Sequence, residues 1–112
     1  MIYEYILLDE EKIARENPSL VISELYKKIE DNGKRFNLKR STETYDETGK
    51  GIMLETDGSD EEYKNSMIFY MTLTLDSQVM KYVEKWSLIH NLDDDGDVFI
   101  EEDVLEVRRE VK

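Results

Sequence analysis

The chain has no cysteine, one proline, one histidine and one tryptophan in 112 residues. Without cysteine there is no disulfide framework and no thiolate metal site. That absence fits a reducing compartment. No apolar run reaches the roughly 18 residues that a membrane-spanning helix needs. The first stretch, MIYEYILLDEE, lacks the basic region and small-residue cleavage site of a signal peptide. The expected compartment is the cytoplasm. Basic residues are also scarce. Lys and Arg number 15 against 27 Asp and Glu, a net charge of −12. On average such a chain repels nucleic acid and anionic membrane. It attracts basic surfaces and steers them in quickly.

The inventory for catalysis is thin. There is no G-x-S-x-G sequence and no glycine-rich phosphate loop; Gly49 and Gly51 read as turn residues. The lone His90 falls where a helix is expected to end, a place where histidine caps carbonyls. In so acidic a chain, paired carboxylates carry no information about acid–base roles. An enzyme is not expected, and neither is a cofactor.

What is present is one domain's worth of periodic apolar sequence, 1–112. IYEYILL (2–8) alternates and is rich in aromatic and β-branched residues, as a strand is. DEEKIAREN holds a helical turn or a loop. Asn17-Pro18 reads as a helix start. Val21, Ile22, Leu25, Tyr26 and Ile29 recur at three and four, and Asn32-Gly33 ends that helix. KRFNLKRS (34–41) alternates as a strand with one wet face. DETGKG (46–51) is a hairpin connection into the strand IMLET (52–56). TDGSDEEYKN (56–65) reads as a polar loop. MIFYMTLTL (67–75) predicts a central strand, apolar on both faces. Asp76 or Ser77 then caps a second helix, with Val79, Val83, Trp86 and Ile89 or His90 on its buried side. VFI (98–100) is a last short strand. The tail EDVLEVRREVK suits either helix or strand. Phe69, Tyr70 and Trp86 are expected in the core.

The order strand, helix, three strands, helix, strand implies an α+β fold. The expected architecture is an antiparallel sheet with two helices packed on one face, ferredoxin-like with an extra strand or an extended hairpin.

Charge is unevenly placed. Lys27, Lys28, Lys34, Arg35, Lys39 and Arg40 make a basic block. A solvated face is the simplest reading of any such run. A second reading makes 34–40 an RNA-binding strand with Phe36 among cations. Against it, Phe36 and Leu38 alternate away from Arg35 and Lys39, and lysine on an edge strand also deters aggregation. The acidic residues concentrate at Asp57, Asp60, Glu61 and Glu62, then at Asp93, Asp94, Asp95, Asp97, Glu101 and Glu102. These ten are the expected contact surface for a basic partner protein, such as a nuclease or other nucleic-acid-binding enzyme.

The stretch LDDDGDVFIEED (92–103) can also be set against the calcium loop D-x-[DN]-x-[DN]-G-x5-E. Asn91 takes the first position, Asp93 the third, Asp95 the fifth, Gly96 the sixth and Glu102 the twelfth. Calcium would want those oxygens, the glycine turn and a bidentate Glu102. Asn91 lacks the usual charge, Phe99 stands at the ninth position, and no second loop accompanies it. The simpler reading is a polar helix-to-strand connection turning at Gly96.

DSQVMKYVEKW (76–86) followed by DDDGDVFIEE (93–102) resembles the last third of the regulator-of-ribonuclease-activity B family. The likeness rests on Gln78 and Val79, matching a Gln-Val that opens the family's final helix. It rests also on Asp95 and Gly96, matching an acidic Asp-Gly turn into the last strand. Asp97 stands where the family usually has an aromatic residue, and the family's acidic tail is missing. The resemblance implies a small, acidic, ferredoxin-like inhibitor that binds ribonuclease E.

Overall fold

In the computed structural model, which describes residues 1–57, 60–91 and 99–105, β1 (Ile2–Leu8) is the middle strand of a five-stranded sheet. Its alternation divides the molecule into layers. Ile2, Glu4, Ile6 and Leu8 point to one side and are all buried. Tyr3, Tyr5 and Leu7 point to the other. β3 (Ile52–Thr56) and β4 (Val83–Asn91) flank β1, and both run antiparallel to it. β2 (Lys39–Arg40) pairs with β3, and β5 (Phe99–Asp103) pairs with β4. The resulting order is β2-β3-β1-β4-β5.

The helices are α1 (Glu10–Glu16), α2 (Ile22–Lys34), α3 (Asp60–Thr74) and α4 (Ser77–Tyr82). Ile13, Leu25, Ile29, Phe69, Leu73, Val79 and Tyr82 meet Ile6, Leu8, Ile52, Leu54 and Trp86 in one buried cluster. All four helices therefore cover one face of the sheet. Each fully buried aliphatic or Phe side chain there contributes roughly 1.5–3 kcal/mol of transfer free energy. The strand order and the helix-bearing crossovers give the expected ferredoxin-like α+β architecture, with β5 as the extra strand. Each crossover holds two helices rather than one.

Several local expectations are overturned. The run 67–75 is not a central strand: its residues up to Thr74 are the body of α3, and Leu75 stands in the turn that follows. Ser66, Phe69 and Leu73 are buried, at spacings of three and four, while Met67, Ile68, Met71 and Leu75 are exposed. A run apolar at almost every position fits both periods equally well. The central place in the sheet is already taken by β1, and α3 begins earlier, in the segment 56–65 expected as a loop. Asp60, Glu61 and Glu62 supply the acidic first turn that a helix N-terminus favours.

The helix expected to run from 77 towards 90 stops at Tyr82, because Trp86, Leu88 and His90 alternate on the core side of β4. Its cap is as expected: the Asp76 carboxylate accepts from the N–H groups of Gln78 and Val79. Asn17 does not start α2. It ends α1, donating its N–H to the Ile13 carbonyl, and α2 begins at Ile22. Gly33 lies inside the last turn of α2, not beyond it. A β-carbon at Gly33 would sit 2.9 Å from Leu54 Cδ1, so glycine here permits close helix-to-sheet approach. The strand expected over 34–41 shrinks to Lys39–Arg40, because Lys34 closes α2 and Asn37 takes a left-handed turn at φ 62°.

Candidate functional site

The sheet register brings the end of β3 that leads to Asp57 and the paired ends of β4 and β5 to one end of the molecule. Thr56 of β3 lies beside Ile2, Ile2 beside His90, and His90 beside Ile100. Asp57 follows Thr56 directly and is exposed. Asp60, Glu61 and Glu62 form the first turn of α3, where Glu61 is exposed. Asn91 and Phe99 are paired across β4 and β5 at this same end. Thus the segment carrying Asp93, Asp94, Asp95 and Asp97 is tethered there, although those four residues lie outside the described ones. It joins two antiparallel strands, not a helix to a strand as expected.

Glu101 and Glu102 emerge on opposite faces of β5. Glu102 lies on the helix side, its Oε2 3.8 Å from His90 Nε2. Glu101 lies on the open face and is held in place. The Tyr45 hydroxyl donates to its Oε1 at 2.6 Å, and Lys85 Nζ approaches to 3.9 Å. Partial burial pushes the Glu101 carboxyl up. Hydrogen bonds from Ser87 and Tyr45 and the charge of Lys85 outweigh this and leave it below the ordinary carboxylate range. Glu101 is thus already engaged within the fold, and Glu102 is the more available of the pair.

Tyr45 belongs to the long β2–β3 connection, which folds across the open face. Its ring stacks on Tyr5 with centroids 4.1 Å apart and planes 9° apart. Lys85 Nζ donates to the Tyr45 hydroxyl at 2.9 Å, and the Tyr5 hydroxyl donates to the Lys50 carbonyl at 3.0 Å. No sequence pattern announces this clamp, since Tyr45 sits in a polar stretch.

Beneath α3 lies a group that sequence reading did not single out. Glu4 is the one acid on the inward side of β1, and it is 2% exposed. Trp86 Nε1 donates to its Oε1 at 3.3 Å, and Ser66 adds a second hydrogen bond. Oε2 has no partner among the described residues. Burial drives the carboxyl up to about 8, although both hydrogen bonds pull it down. The signal was available in IYEYILL: with alternating sides, Glu4 falls between Ile2 and Ile6. His90 sits on the same face, a diagonal neighbour across β4, and its Nε2 likewise has no hydrogen bond among the described residues. His90 lies in a strand and does not cap a helix.

The basic block is largely matched by nearby acids. Lys27 pairs with Asp31 at 3.0 Å and Lys28 with Asp76 at 2.6 Å. Lys34 and Arg40 both reach Glu30 at 3.6 Å. Phe36 lies under the Arg35 guanidinium at 5.7 Å, and Leu38 is fully buried. With only two residues in β2, the strand for stacked bases imagined over 34–40 does not form. Of the calcium set, Asn91 and Glu102 sit in β4 and β5, while Asp93 and Asp95 lie outside the described residues. Among the described residues no three His, Asp or Glu side chains gather to hold a metal. Nor, among those residues, is any helix long and apolar enough to cross a membrane.

The feature sequence reading missed most completely is the outward side of α3. Met67, Ile68 and Met71 are exposed there, and Leu75 is exposed in the turn just beyond the end of α3. No family model, no curated protein and no solved structure matches the chain.

Proposed function

We propose that this chain is a small acidic protein-binding module that regulates or inhibits a basic partner protein, in the manner of a nuclease inhibitor, an immunity protein or a nucleic-acid mimic. The observation that carries this reading is the convergence at one end of the sheet. Asp57, the acidic first turn of α3 and the strand ends that tether 92–98 all meet there. Carboxylates gathered on one surface attract a cationic cleft, speed its approach and occupy the place of a polyanionic substrate. The resemblance of 76–102 to ribonuclease E inhibitors points the same way. The chain acts by occupancy and needs no cofactor, and its partner is a basic enzyme, not nucleic acid.

The test is kinetic. Reversing Asp93, Asp94 and Asp95 to lysine should lower the association rate by on the order of tenfold or more at low ionic strength. High salt should erase most of the difference. Association unchanged in that variant removes the segment from the contact surface.

A further inference from the structure

We propose that Glu4 and Ser66 form a proton-operated latch: the neutral Glu4 carboxyl holds α3 against the sheet, and loss of its proton releases α3 while the sheet beneath stays paired. The first support is placement. The inward positions of β1 are Ile2, Glu4, Ile6 and Leu8, all buried, and the acid breaks an otherwise apolar row. Its neighbours across the sheet are Leu54 of β3 and Leu88 of β4. Burying an ionisable group costs free energy that an apolar side chain does not. A sequence that keeps one in its core departs from what packing favours, and such departures gather where function is. The second support is connection. The carboxyl accepts from Trp86 Nε1 of β4 at 3.3 Å and from the Ser66 hydroxyl of α3. Trp86 carries the contact further into α3. Its ring meets Phe69 edge-on with centroids 6.0 Å apart, and Tyr70 at 5.2 Å.

The third support is what surrounds the carboxyl. From β3 the inward side chains are Ile52, Leu54 and Thr56, and from β4 they are Trp86, Leu88 and His90. His90, diagonal to Glu4, is the titratable one among these, and Glu102 of β5 already lies 3.8 Å from its Nε2. Arg40 of β2 stands beside Leu54 but reaches Glu30 of α2 at 3.6 Å. α2 adds Leu25 and Ile29 to this core. α3 sets Ser66 against Glu4 and Tyr70 against Trp86, and Glu62 and Tyr63 occupy its preceding turn. Among the described residues no charge shifts the Glu4 carboxyl; burial raises it against its two hydrogen bonds. Oε2 has no hydrogen bond among those residues. An ionised Glu4 so placed lacks both a counter-charge and water. The element that gives way is α3. β1 is held in the sheet by a strand on either side, whereas α3 rests on it through side chains. Beyond its far end Asp76 caps α4 and pairs with Lys28, which fixes a pivot. The open form hydrates Glu4 as an ordinary carboxylate. Because α3 begins with Asp60, Glu61 and Glu62, its release also rearranges the acidic end. That consequence rests on the reading of that end as a contact surface; the latch itself does not.

Native-state hydrogen exchange of the full chain at pH 6 and pH 9, with rates corrected for the intrinsic effect of pH, is the test. A closed carboxyl at about 8 and an open one at 4.5 raise the open-to-closed ratio on the order of a hundredfold across that interval. Protection of the amides from Ser66 to Leu73 should fall together by that factor. At both pH values they should stay less protected than the amides of β1 and β4, on the order of tenfold or more, because α3 opens without the sheet. Glu4→Gln should hold α3 protection constant between pH 6 and pH 9. Glu4→Met, uncharged and apolar, makes the same comparison where the amide packs poorly. α3 amides protected as well as those of β1 and β4 overturn the proposal, since opening is then global. Protection of α3 that is indifferent to pH overturns it too, as does an equal fall in the two Glu4 variants. No partner protein enters the experiment, so its outcome is separate from that of the acidic end.

Discussion

Glu4 sets a pH dependence whose sign and size follow from its burial. The folded protein holds this carboxyl at about 8, against an ordinary value of 4.5 in the unfolded chain. Below about 4.5 both states carry the proton, and Glu4 costs no linked stability. As pH rises above that value, the unfolded chain releases the proton while the folded one retains it, and each pH unit then removes about 1.4 kcal/mol. The loss levels off above about 8, at roughly 5 kcal/mol in total. Between pH 6 and pH 9 the protein should lose about 3 kcal/mol from this group alone. That is a large part of the 5–15 kcal/mol typical of a domain. Glu4→Gln keeps an acceptor for Trp86 Nε1 and carries no charge at any pH. Urea unfolding of both proteins at pH 6 and pH 9 isolates the effect, because every other titrating group is common to the two. The wild type should lose about 3 kcal/mol more than the variant across that interval. Equal losses would refute the reasoning, and so would a wild type more stable at pH 9.

Three further outcomes follow from the packing. Phe69→Ala and Leu73→Ala should each cost about 2–5 kcal/mol in urea unfolding, while Met71→Ala and Leu75→Ala should fall within about 0.5 kcal/mol of wild type. A strand over 67–75 would instead make Phe69, Met71, Leu73 and Leu75 behave as one set. Asp76→Ala removes the cap of α4 and the 2.6 Å pair with Lys28, and should cost about 1 kcal/mol at neutral pH. Burial raises the Asp76 carboxyl, but Lys28 and the two backbone N–H groups hold it below its ordinary value. Its stabilisation is therefore complete above the unfolded value and is lost as pH falls through the folded one. Gly51→Ala forces a β-carbon to 2.5 Å from the Tyr5 ring at φ +85°. It should destabilise by about 1–3 kcal/mol and disturb the Tyr5–Tyr45 stack, read by near-ultraviolet circular dichroism.

Two of the strands were legible where the side chains alternate. IYEYILL and IMLET alternate cleanly, and both form strands at the expected bounds. The stripe of Leu25, Tyr26 and Ile29 marked α2 because charged residues fill its other sides. MIFYMTLTL misled because the apolar pattern that separates helix from strand is absent when both the buried and the exposed sides are apolar. Val79, Val83 and Trp86 misled differently: their spacing suits a helix, yet the chain changes from helix to strand between Tyr82 and Val83. The acidic segments could be seen from composition. That the strand ends flanking them share one end of the sheet could not, since it depends on Thr56, Ile2, His90 and Ile100 standing in one row.

The central claim, that the chain works by binding a basic protein through its acidic end, is tested most directly by capture from host lysate. The tagged protein is presented at low and high salt, with and without nuclease, and bound proteins are read by mass spectrometry. The account predicts one stoichiometric basic protein, released at high salt and indifferent to nuclease. Recovery of no protein, or only of proteins that disappear on nuclease treatment, would contradict it.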